Sequence, residues 1–298
     1  MKKLGAILRP VMGSEDFLFS GGHLLKRLIA ALVLTVCLSP GSWADEPPRR
    51  IVSLAPSITE ILFALGLGDR VVGVTTFCDY PQEAKQKAKI GGMWNPSLEA
   101  IVSLKPDRVA VTTNGNHKDV EERLRSLGMR TYIFTARRLF ELPRDIREAG
   151  RAFGVAQRGE ALAREIEASL DRFRKQPPGA KKVNVLFIVW VDPLIAAGPE
   201  TVIDDAITLL GARNVAEKAR TPYPKYSIEE VIRQAPDIIV IGDMREGAQS
   251  ASERLMKRLG MVQAVRDKKV FFVDDLYRLG PRMIRGIEEL SRVIRSAS

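Results

Sequence analysis

The stretch SLEAIVSLKPDRVAV, residues 97–111, recurs without a gap as SIEEVIRQAPDIIVI, residues 227–241, at a constant offset of 130 positions. Each copy begins with a serine before apolar residues at helical spacing, continues through a Pro-Asp pair and ends in an apolar run. This order predicts a capped helix, a turn and a buried strand. After each copy, a further helical stretch leads to the same tripeptide, Leu-Gly-Met, at 127–129 and 259–261. The duplication therefore predicts two similar lobes.

The residues around the first copy alternate between strand and helix patterns. Strands are predicted at 51–54, 71–75, 108–112 and 130–134, and helices from Pro56, over 97–104 and over 119–127. Such alternation implies parallel strands joined by helical crossovers. The predicted fold class is α/β, with two doubly wound α/β lobes.

A helical connection is predicted between the lobes. Residues 139–153 and 157–175 have helical spacing, with a break at Gly154 and an end at Pro177-Pro178-Gly179. A helix of 19 residues is about 28 Å long, close to the diameter of a small lobe. We therefore expect a long rigid backbone helix that joins the lobes, with a ligand cleft between them. The predicted boundaries are 45–140 for the amino-terminal lobe, 141–178 for the connecting helices and 179–298 for the carboxy-terminal lobe.

The amino end has the pattern of a secretory signal peptide. Lys26 and Arg27 precede an apolar run over 28–38, which is too short to span a bilayer, and small residues lead to Ala44. Residues 1–44 are therefore predicted to be a leader that is cleaved after Ala44, which makes the product periplasmic.

Two details of the leader stay open. The first residues precede its basic part and do not suit export, so we expect the natural start at Met12 or later. Lipoprotein processing at Cys37 is the alternative to cleavage after Ala44.

The composition excludes several classes of function. Lys and Arg number 46 against 36 Asp and Glu, a formal net charge of +10, but the basic residues are interspersed with acidic ones. That pattern is typical of a solvated surface, so no nucleic-acid partner is expected. Two cysteines and two histidines are too few for structural zinc, iron–sulfur clusters or a disulfide framework. We expect no metal site, no cofactor and a monomer, with Cys78 as a small buried side chain.

No catalytic motif is found in the sequence. It has no Gly-x-Ser-x-Gly, no His-Glu-x-x-His, no Walker loop and no Gly-x-Gly-x-x-Gly after a strand. A Cys78–His117 dyad, or one of the carboxylate pairs Asp204-Asp205 and Asp274-Asp275, would be the alternatives, but nothing in the sequence orients them. We predict no catalytic residues.

Four segments resemble a known family: the exported substrate-binding proteins of ABC importers that have a helical backbone and carry cobalamin, siderophores or haem. The segments are RIVSLAPSITE (50–60), VGVTTFCDYP (72–81), IGG with NPSLE (90–92 and 95–99), and DPL with AG (192–194 and 197–198). The resemblance covers essentially all of 50–298 and is greatest to the cobalamin branch. It implies a periplasmic receptor that captures a corrinoid between its lobes. The receptor would deliver the corrinoid to the permease and ATPase subunits of an inner-membrane importer.

The resemblance also implies a set of ligand-binding residues, which are Ser57, Phe77, Trp94, Asp274, Tyr277 and Arg278, with a surface ion pair as the alternative for Asp274 and Arg278. Trp190 is added to the set because, like Trp94, it follows a strand at the edge where doubly wound sheets bind ligands. A corrinoid has broad apolar faces fringed with amides, so its site requires stacking aromatics and a few hydrogen-bonding groups. Asp275 and Leu276 depart from the family pattern, which has aromatics there. The second lobe is therefore where the ligand contacts stay open.

In the family, a glutamate on each lobe docks onto arginines of the permease, and by position these are Glu99 and Glu229. The repeat supplies both independently. Each lies in the first turn of a helix that a serine precedes, where a carboxylate is also favoured by the helix dipole and by a capping box. A capping role is the alternative for each.

The other ligands carried by this family would each require particular side chains. Bare zinc or manganese needs about three histidines, and only His117 follows residue 44. Haem needs an axial ligand, for which His117, Tyr80, Tyr226 and Tyr277 are candidates. An anionic ferric siderophore needs arginines, which Arg245, Arg278 and Arg282 could supply.

Overall fold

The structure is a computed structural model that describes residues 46–176, 181–242 and 248–297. The predicted signal peptide, Cys37, Pro177 to Gly179 and Arg245 lie outside the described residues. Across the three described ranges, no helix combines the length and apolar character needed to cross a membrane.

The amino-terminal lobe is built on a five-stranded sheet in which all neighbouring strands are parallel. The strands are β1 (Ile51–Ser53), β2 (Val71–Val74), β3 (Ala88–Lys89), β4 (Arg108–Thr112) and β5 (Thr131–Phe134), in the order β3-β2-β1-β4-β5. The helices are α1 (Pro56–Ala64), α2 (Gln82–Lys85), α3 (Leu98–Ser103) and α4 (Lys118–Ser126), with a 3-10 turn at Gly68–Arg70. The strand order reverses direction at β1, so the loops after β1, β2 and β4 meet at one edge, where doubly wound sheets bind ligands.

The connection between the lobes is helical, as predicted. A 3-10 turn at Leu139–Glu141 leads into α5 (Leu142–Ala152), and α6 (Ala156–Arg174) follows after Gly154, whose φ is +73°. Where the two helices cross, a Cβ on Gly150 would lie 2.8 Å from the Cα of Gly159. No side chain fits at that distance, so the pair of glycines lets the helices pack backbone to backbone.

The carboxy-terminal lobe has a second five-stranded sheet. Its strands are β6 (Asn184–Trp190), β7 (Ile195–Ala196), β8 (Arg213–Asn214), β9 (Ile238–Ile241) and β10 (Val270–Phe272). The order is β10-β9-β6-β7, and β8 pairs with the start of β6. All pairs are parallel except β6 with β7, because β7 returns directly from the turn at Asp192 and Pro193. The helices are α7 (Val202–Leu209), α8 (Ile228–Gln234), α9 (Ala248–Arg258), α10 (Gln263–Arg266) and α11 (Met283–Ser296).

The sequence repeat is also a repeat in three dimensions. The hydroxyl of Ser97 accepts the N–H of Ala100 at 3.1 Å, and the hydroxyl of Ser227 accepts the N–H of Glu230 at 3.1 Å. Both helices end in a non-glycine residue with positive φ, +47° at Lys105 and +45° at Ala235. The two copies therefore share their start, their end and their backbone strain.

The aspartates of the two Pro-Asp pairs have equivalent partners. Asp107 accepts the backbone N–H of Arg50 at 3.1 Å, and Asp237 accepts that of Asn184 at 2.7 Å. Each thus ties its turn to the first strand of its own lobe.

One apolar core runs through both lobes. It includes Leu62 of α1, Phe153 and Leu170 of the connection, Phe187 of β6 and Leu290 of α11. Each sheet also has a separate core on its outer face, formed around Val109 in the first lobe and Ile239 in the second. Because neighbouring residues of a strand point to opposite faces, both sheets are covered on both sides. The shared core joins the lobes to the connecting helices, as expected for a rigid backbone.

Candidate ligand-binding site

Two of the residues predicted to bind ligand form an exposed aromatic pair at the edge of the first sheet. Phe77 follows β2, Trp94 follows β3, and the ring centroids lie 5.9 Å apart at an interplanar angle of 69°. This is the edge-to-face arrangement that aromatic rings favour. About half of each side chain is exposed, 50% for Phe77 and 51% for Trp94. The pair therefore forms an exposed apolar surface at the strand ends.

The loop that carries Phe77 is anchored by a buried thiol. The hydroxyl of Thr59 donates to Sγ of Cys78 at 3.1 Å, and the hydroxyl of Thr75 lies 3.2 Å from the same sulfur. Cys78 is buried, as the sequence predicts. It therefore holds its exposed neighbour in place and does not face solvent.

The loop that carries Trp94 is held by an asparagine that the sequence analysis missed. The side-chain amide of Asn116 donates to the carbonyls of Leu54 at 2.9 Å and Met93 at 2.8 Å, and its oxygen accepts the N–H of Thr112 at 2.9 Å. One side chain thus joins the loops after β1, β3 and β4. A single asparagine in a turn carries no distinctive sequence signal.

Across from the aromatic pair, the segment after β10 turns partly inward. Asp274 is exposed, but Asp275 and Leu276 are buried, and a Cβ on Gly286 of α11 would lie 2.9 Å from Leu276. Packing against α11 thus accounts for the two residues that depart from the family pattern. Tyr277 and Arg278 are half-buried.

Five charged side chains form an ion-pair network across the lobe junction, and the mostly exposed Arg285 lies at its margin, 3.8 Å from Asp275. Arg278 contacts Asp79 at 2.6 Å and Glu60 at 3.6 Å. Arg282 contacts Glu60 at 2.7 Å and Asp275 at 3.1 Å. Glu60 and Asp79 belong to the first lobe and the other three to the second, so the network joins the lobes beside the aromatic pair. It was not predicted, and it takes up Arg278, which was predicted to bind ligand.

The network perturbs the titration of its acids in opposite directions. Burial raises the pKa of Glu60 above its ordinary value in spite of the hydrogen bond and charge of Arg282. For Asp79 burial alone would raise the pKa, but the hydrogen bond and charge of Arg278 outweigh it and lower the pKa. Within the described residues, Oε2 of Glu60 and Nε of Arg282 are buried without a hydrogen-bond partner, so the network is compact but not fully satisfied.

The remaining predicted ligand residues differ in how close they lie to the junction. Ser57, in the first turn of α1, packs against Gly280, where an added Cβ would lie 3.5 Å from the Ser57 carbonyl. Trp190 ends β6, two strands away from β10, which places the two strand ends about 10 Å apart. Its indole N–H donates to the carbonyl of Asp192 at 2.9 Å. Ser57 therefore belongs to the junction, and Trp190 lies further along the edge of its own sheet.

A cavity of about 670 Å³ adjoins the network, since Glu60 and Arg282 are among its lining residues. Its walls include Phe63, Tyr80, Lys87, Arg282 and Arg285. None of the seven residues predicted to bind a corrinoid lines it, although Tyr80 and Arg282, the candidates for haem and siderophore, do. The exposed aromatic pair, not this mixed-charge cavity, has the surface that an apolar ring system requires.

The alternatives from the sequence have structural explanations. Asp205 accepts the backbone N–H of Leu139 at 2.9 Å and pairs with Arg138, and Asp204 accepts from Asn214 at 2.9 Å. His117 is exposed and precedes α4. Among the residues that the structure describes, no group of three or more His, Cys, Asp or Glu side chains is placed to hold a metal ion.

The two glutamates predicted to dock onto a permease are both exposed in the first turn of their helices, Glu99 in α3 and Glu229 in α8. Hydrogen bonds from its own backbone N–H and from Ser227 lower the pKa of Glu229, so it is ionised at neutral pH.

Comparison with known proteins identifies relatives over most of the chain. A family model described as periplasmic binding protein matches residues 51–277. The vitamin B12-binding protein of Vibrio campbellii is 31% identical over 216 residues, which is 72% of this chain and 78% of that protein. An uncharacterized ABC transporter substrate-binding lipoprotein of Bacillus subtilis is 32% identical over 258 residues, 84% of this chain and 81% of that one.

The solved structures include a relative that is named for a different ligand. The periplasmic heme-binding protein RhuT from Roseiflexus sp. RS-1 has a TM-score of 0.77 and 31% identity, and the match covers 84% of this chain and 98% of that one. Relatives of equal identity are thus named for vitamin B12 and for heme, so overall identity does not decide between the two ligands.

Proposed function

Because the chain belongs to the periplasmic binding protein family, we propose that it captures cobalamin or a related corrinoid between its lobes. It is a substrate-binding protein of an ABC transporter. Its relatives are binding proteins, so we assign it no catalytic residues and leave ATP hydrolysis and transport to partner subunits. Export through the leader at 1–44 belongs to the same proposal and gives a periplasmic receptor.

The observation that carries the ligand proposal is the contrast between the aromatic pair and the charges beside it. Phe77 and Trp94 are exposed, whereas Arg278 and Arg282 are already paired with Glu60, Asp79 and Asp275. An anionic siderophore would have to displace a carboxylate to reach either guanidinium. A corrinoid needs an apolar wall and hydrogen bonds to its amides, and this site supplies the wall without requiring that exchange.

Haem is the second candidate, because the likeness to RhuT is as great as that to the vitamin B12-binding protein. Burial raises the pKa of Tyr277 and of Tyr226, which opposes the phenolate form that ligates iron. The ring of Tyr80 is covered by the guanidinium of Arg282 at 4.3 Å. These features disfavour all three tyrosines as axial ligands, which leaves the exposed His117 as the haem candidate and makes haem the second choice after cobalamin.

Calorimetric titration of the processed chain, residues 45–298, tests the ligand. We expect submicromolar affinity for cyanocobalamin and binding at least about 100-fold weaker for haemin and for a ferric hydroxamate, a difference of about 2.7 kcal/mol. Tight haemin binding with none of cyanocobalamin would overturn the corrinoid assignment and leave the importer receptor intact.

Replacing Glu99 and Glu229 together by glutamine tests the docking role. We expect unchanged ligand affinity and loss of the ability to stimulate the ATPase of the importer, because both carboxylates are exposed and exposed carboxylates orient a partner. The replacement of Glu122, an exposed acid of α4, by glutamine is the control and should leave stimulation unchanged. A loss of ligand affinity in the double variant would instead place these glutamates in the ligand site.

A further inference from the structure

The helices that carry the two docking glutamates share a second surface feature. Val102 follows Glu99 by three residues in α3, and Ile232 follows Glu229 by three residues in α8. Residues three apart lie on the same helix face. Val102 is 46% exposed and Ile232 is 38% exposed. Each lobe therefore presents a carboxylate next to an aliphatic side chain.

The matching exposure arises from matching packing. Over 97–105 and 227–235, the sequence of buried, half-buried and exposed residues is the same at all nine positions. Ile101 and Val231 are completely buried and fix each helix on its own lobe. With the same anchor and the same cap, both helices direct the same positions outward.

Other equivalent positions of the two lobes do not both expose an apolar side chain. Leu127 is 53% exposed, but its equivalent, Leu259, is completely buried. Met261 is 76% exposed, whereas its equivalent, Met129, packs partly buried on the core. Single exposed apolar residues are normal on a protein surface. A pair at equivalent positions, each beside a glutamate, is what needs a reason.

We propose that Glu99 with Val102, and Glu229 with Ile232, are two copies of one docking unit, each received by one of two permease subunits. This inference rests on the proposed function, since it names the groups that the permease must offer. The same unit occurs twice, so the partner must present the same complementary pair twice: a guanidinium for the carboxylate and an apolar side chain for the aliphatic one. The aliphatic side chain excludes water from the ion pair, which lengthens the life of the complex.

The test compares receptor variants on the permease–ATPase complex reconstituted in nanodiscs. The Val102→Ser/Ile232→Ser double variant should bind about tenfold more weakly, mainly through faster dissociation, with an unchanged salt dependence. The Glu99→Gln/Glu229→Gln variant should instead lose association rate and salt dependence. The Leu127→Ser/Met261→Ser variant is the matched control and should bind within twofold of wild type. Cyanocobalamin affinity and the thermal midpoint establish that each variant is folded.

The outcomes separate this inference from the docking proposal. Wild-type binding by the Val102→Ser/Ile232→Ser variant, with loss in the glutamine variant, would overturn the apolar half of the unit and leave the glutamates in place. Wild-type binding by both would overturn the docking role of these helices altogether. A loss in only one of the single variants, Val102→Ser or Ile232→Ser, would overturn the equivalence of the two lobes.

Discussion

The two lobes are alike in one part and different in another. Their repeated segments have the same serine cap, the same left-handed helix end and an aspartate tied to the first strand. At the strand edges that face the junction, the first lobe presents the exposed rings of Phe77 and Trp94. The second lobe presents a buried and a half-buried charge there, Asp275 and Arg282. The repeated segments, which are alike, are where a permease with two like subunits is proposed to bind. The strand edges at the junction, which differ, are where a ligand without such symmetry is proposed to bind.

The two lobes also differ in the sign of the charges that they bring to the junction. The first lobe contributes two acids to the junction, Glu60 and Asp79, and the second contributes the arginines that pair with them, Arg278 and Arg282. Ionic contacts therefore hold the lobes together beside the aromatic pair and leave its two rings exposed. Two lobes that were identical here would have brought like charges together.

The largest effect is expected for Arg282→Ala, which removes the ion pair between Arg282 and Glu60 that joins the two lobes. This change leaves the carboxylates of Glu60 and Asp275 buried without their main partner, and we expect a loss of about 3 kcal/mol in the free energy of unfolding. Urea unfolding followed by circular dichroism measures it. The control is Arg285→Ala, since Arg285 is mostly exposed and lies 3.8 Å from Asp275, and it should cost less than about 0.5 kcal/mol. Equal losses in the two variants would mean that the network does not hold the lobes.

Much of the fold is predictable from the sequence because its signals are local. Each copy of the repeat, each serine cap and each strand or helix can be recognised within a window of about 15 residues. The structure confirms the two α/β lobes and the helical connection that these signals predict. The antiparallel β7 is the exception, since two residues after a turn carry no period to read.

The site is less predictable because its contacts join distant parts of the chain. Asp79 and Arg278 are 199 residues apart, and Glu60 and Arg282 are 222 apart. Nothing near either arginine in the sequence indicates its partner, so the resemblance alone assigns Arg278 to the ligand. Asp275 departs from the family pattern, and its ion pair with Arg282 explains why an acid stands at this position. Asn116 is missed for the same reason, since it acts by joining three separate loops.

The next largest effect should show that ligand affinity depends on the first lobe more than on the second. Trp94→Ala removes half of the exposed aromatic pair, and we expect about 30-fold weaker binding of cyanocobalamin, or about 2 kcal/mol. Tyr277→Ala should weaken binding less than about threefold, because the Tyr277 ring is half-buried and already has the Arg278 guanidinium 5.4 Å from its centroid. Calorimetry measures both. The control is Phe140→Ala, an exposed aromatic of the connecting turn, which should bind like wild type. An equal loss in Trp94→Ala and Tyr277→Ala would remove the asymmetry between the lobes.

The smallest effect expected concerns the pH dependence of stability. Because Arg278 lowers the pKa of Asp79 below its ordinary value of 3.8, the folded state binds that proton more weakly than the unfolded state does. The stabilisation is therefore complete above pH 3.8 and is lost as the pH falls below it. Glu60 acts in the opposite sense. Its pKa is raised above 4.5, so its contribution disfavours folding as the pH rises through that value.

Asp79→Asn and Glu60→Gln separate the two contributions. Urea unfolding of wild type and both variants, from about pH 3 to pH 7, should show a shallower acid loss of stability in Asp79→Asn. In Glu60→Gln the decline above pH 4.5 should disappear, because the group that resists ionisation is gone. Since Asp79 is more than half exposed, solvent screens its pair with Arg278 and the first difference should be small. If both variants gave profiles parallel to that of wild type, Asp79 and Glu60 would ionise alike in the folded and unfolded chains. The ion pairs would then add nothing to the stability of the junction, and the shared apolar core alone would hold the lobes together.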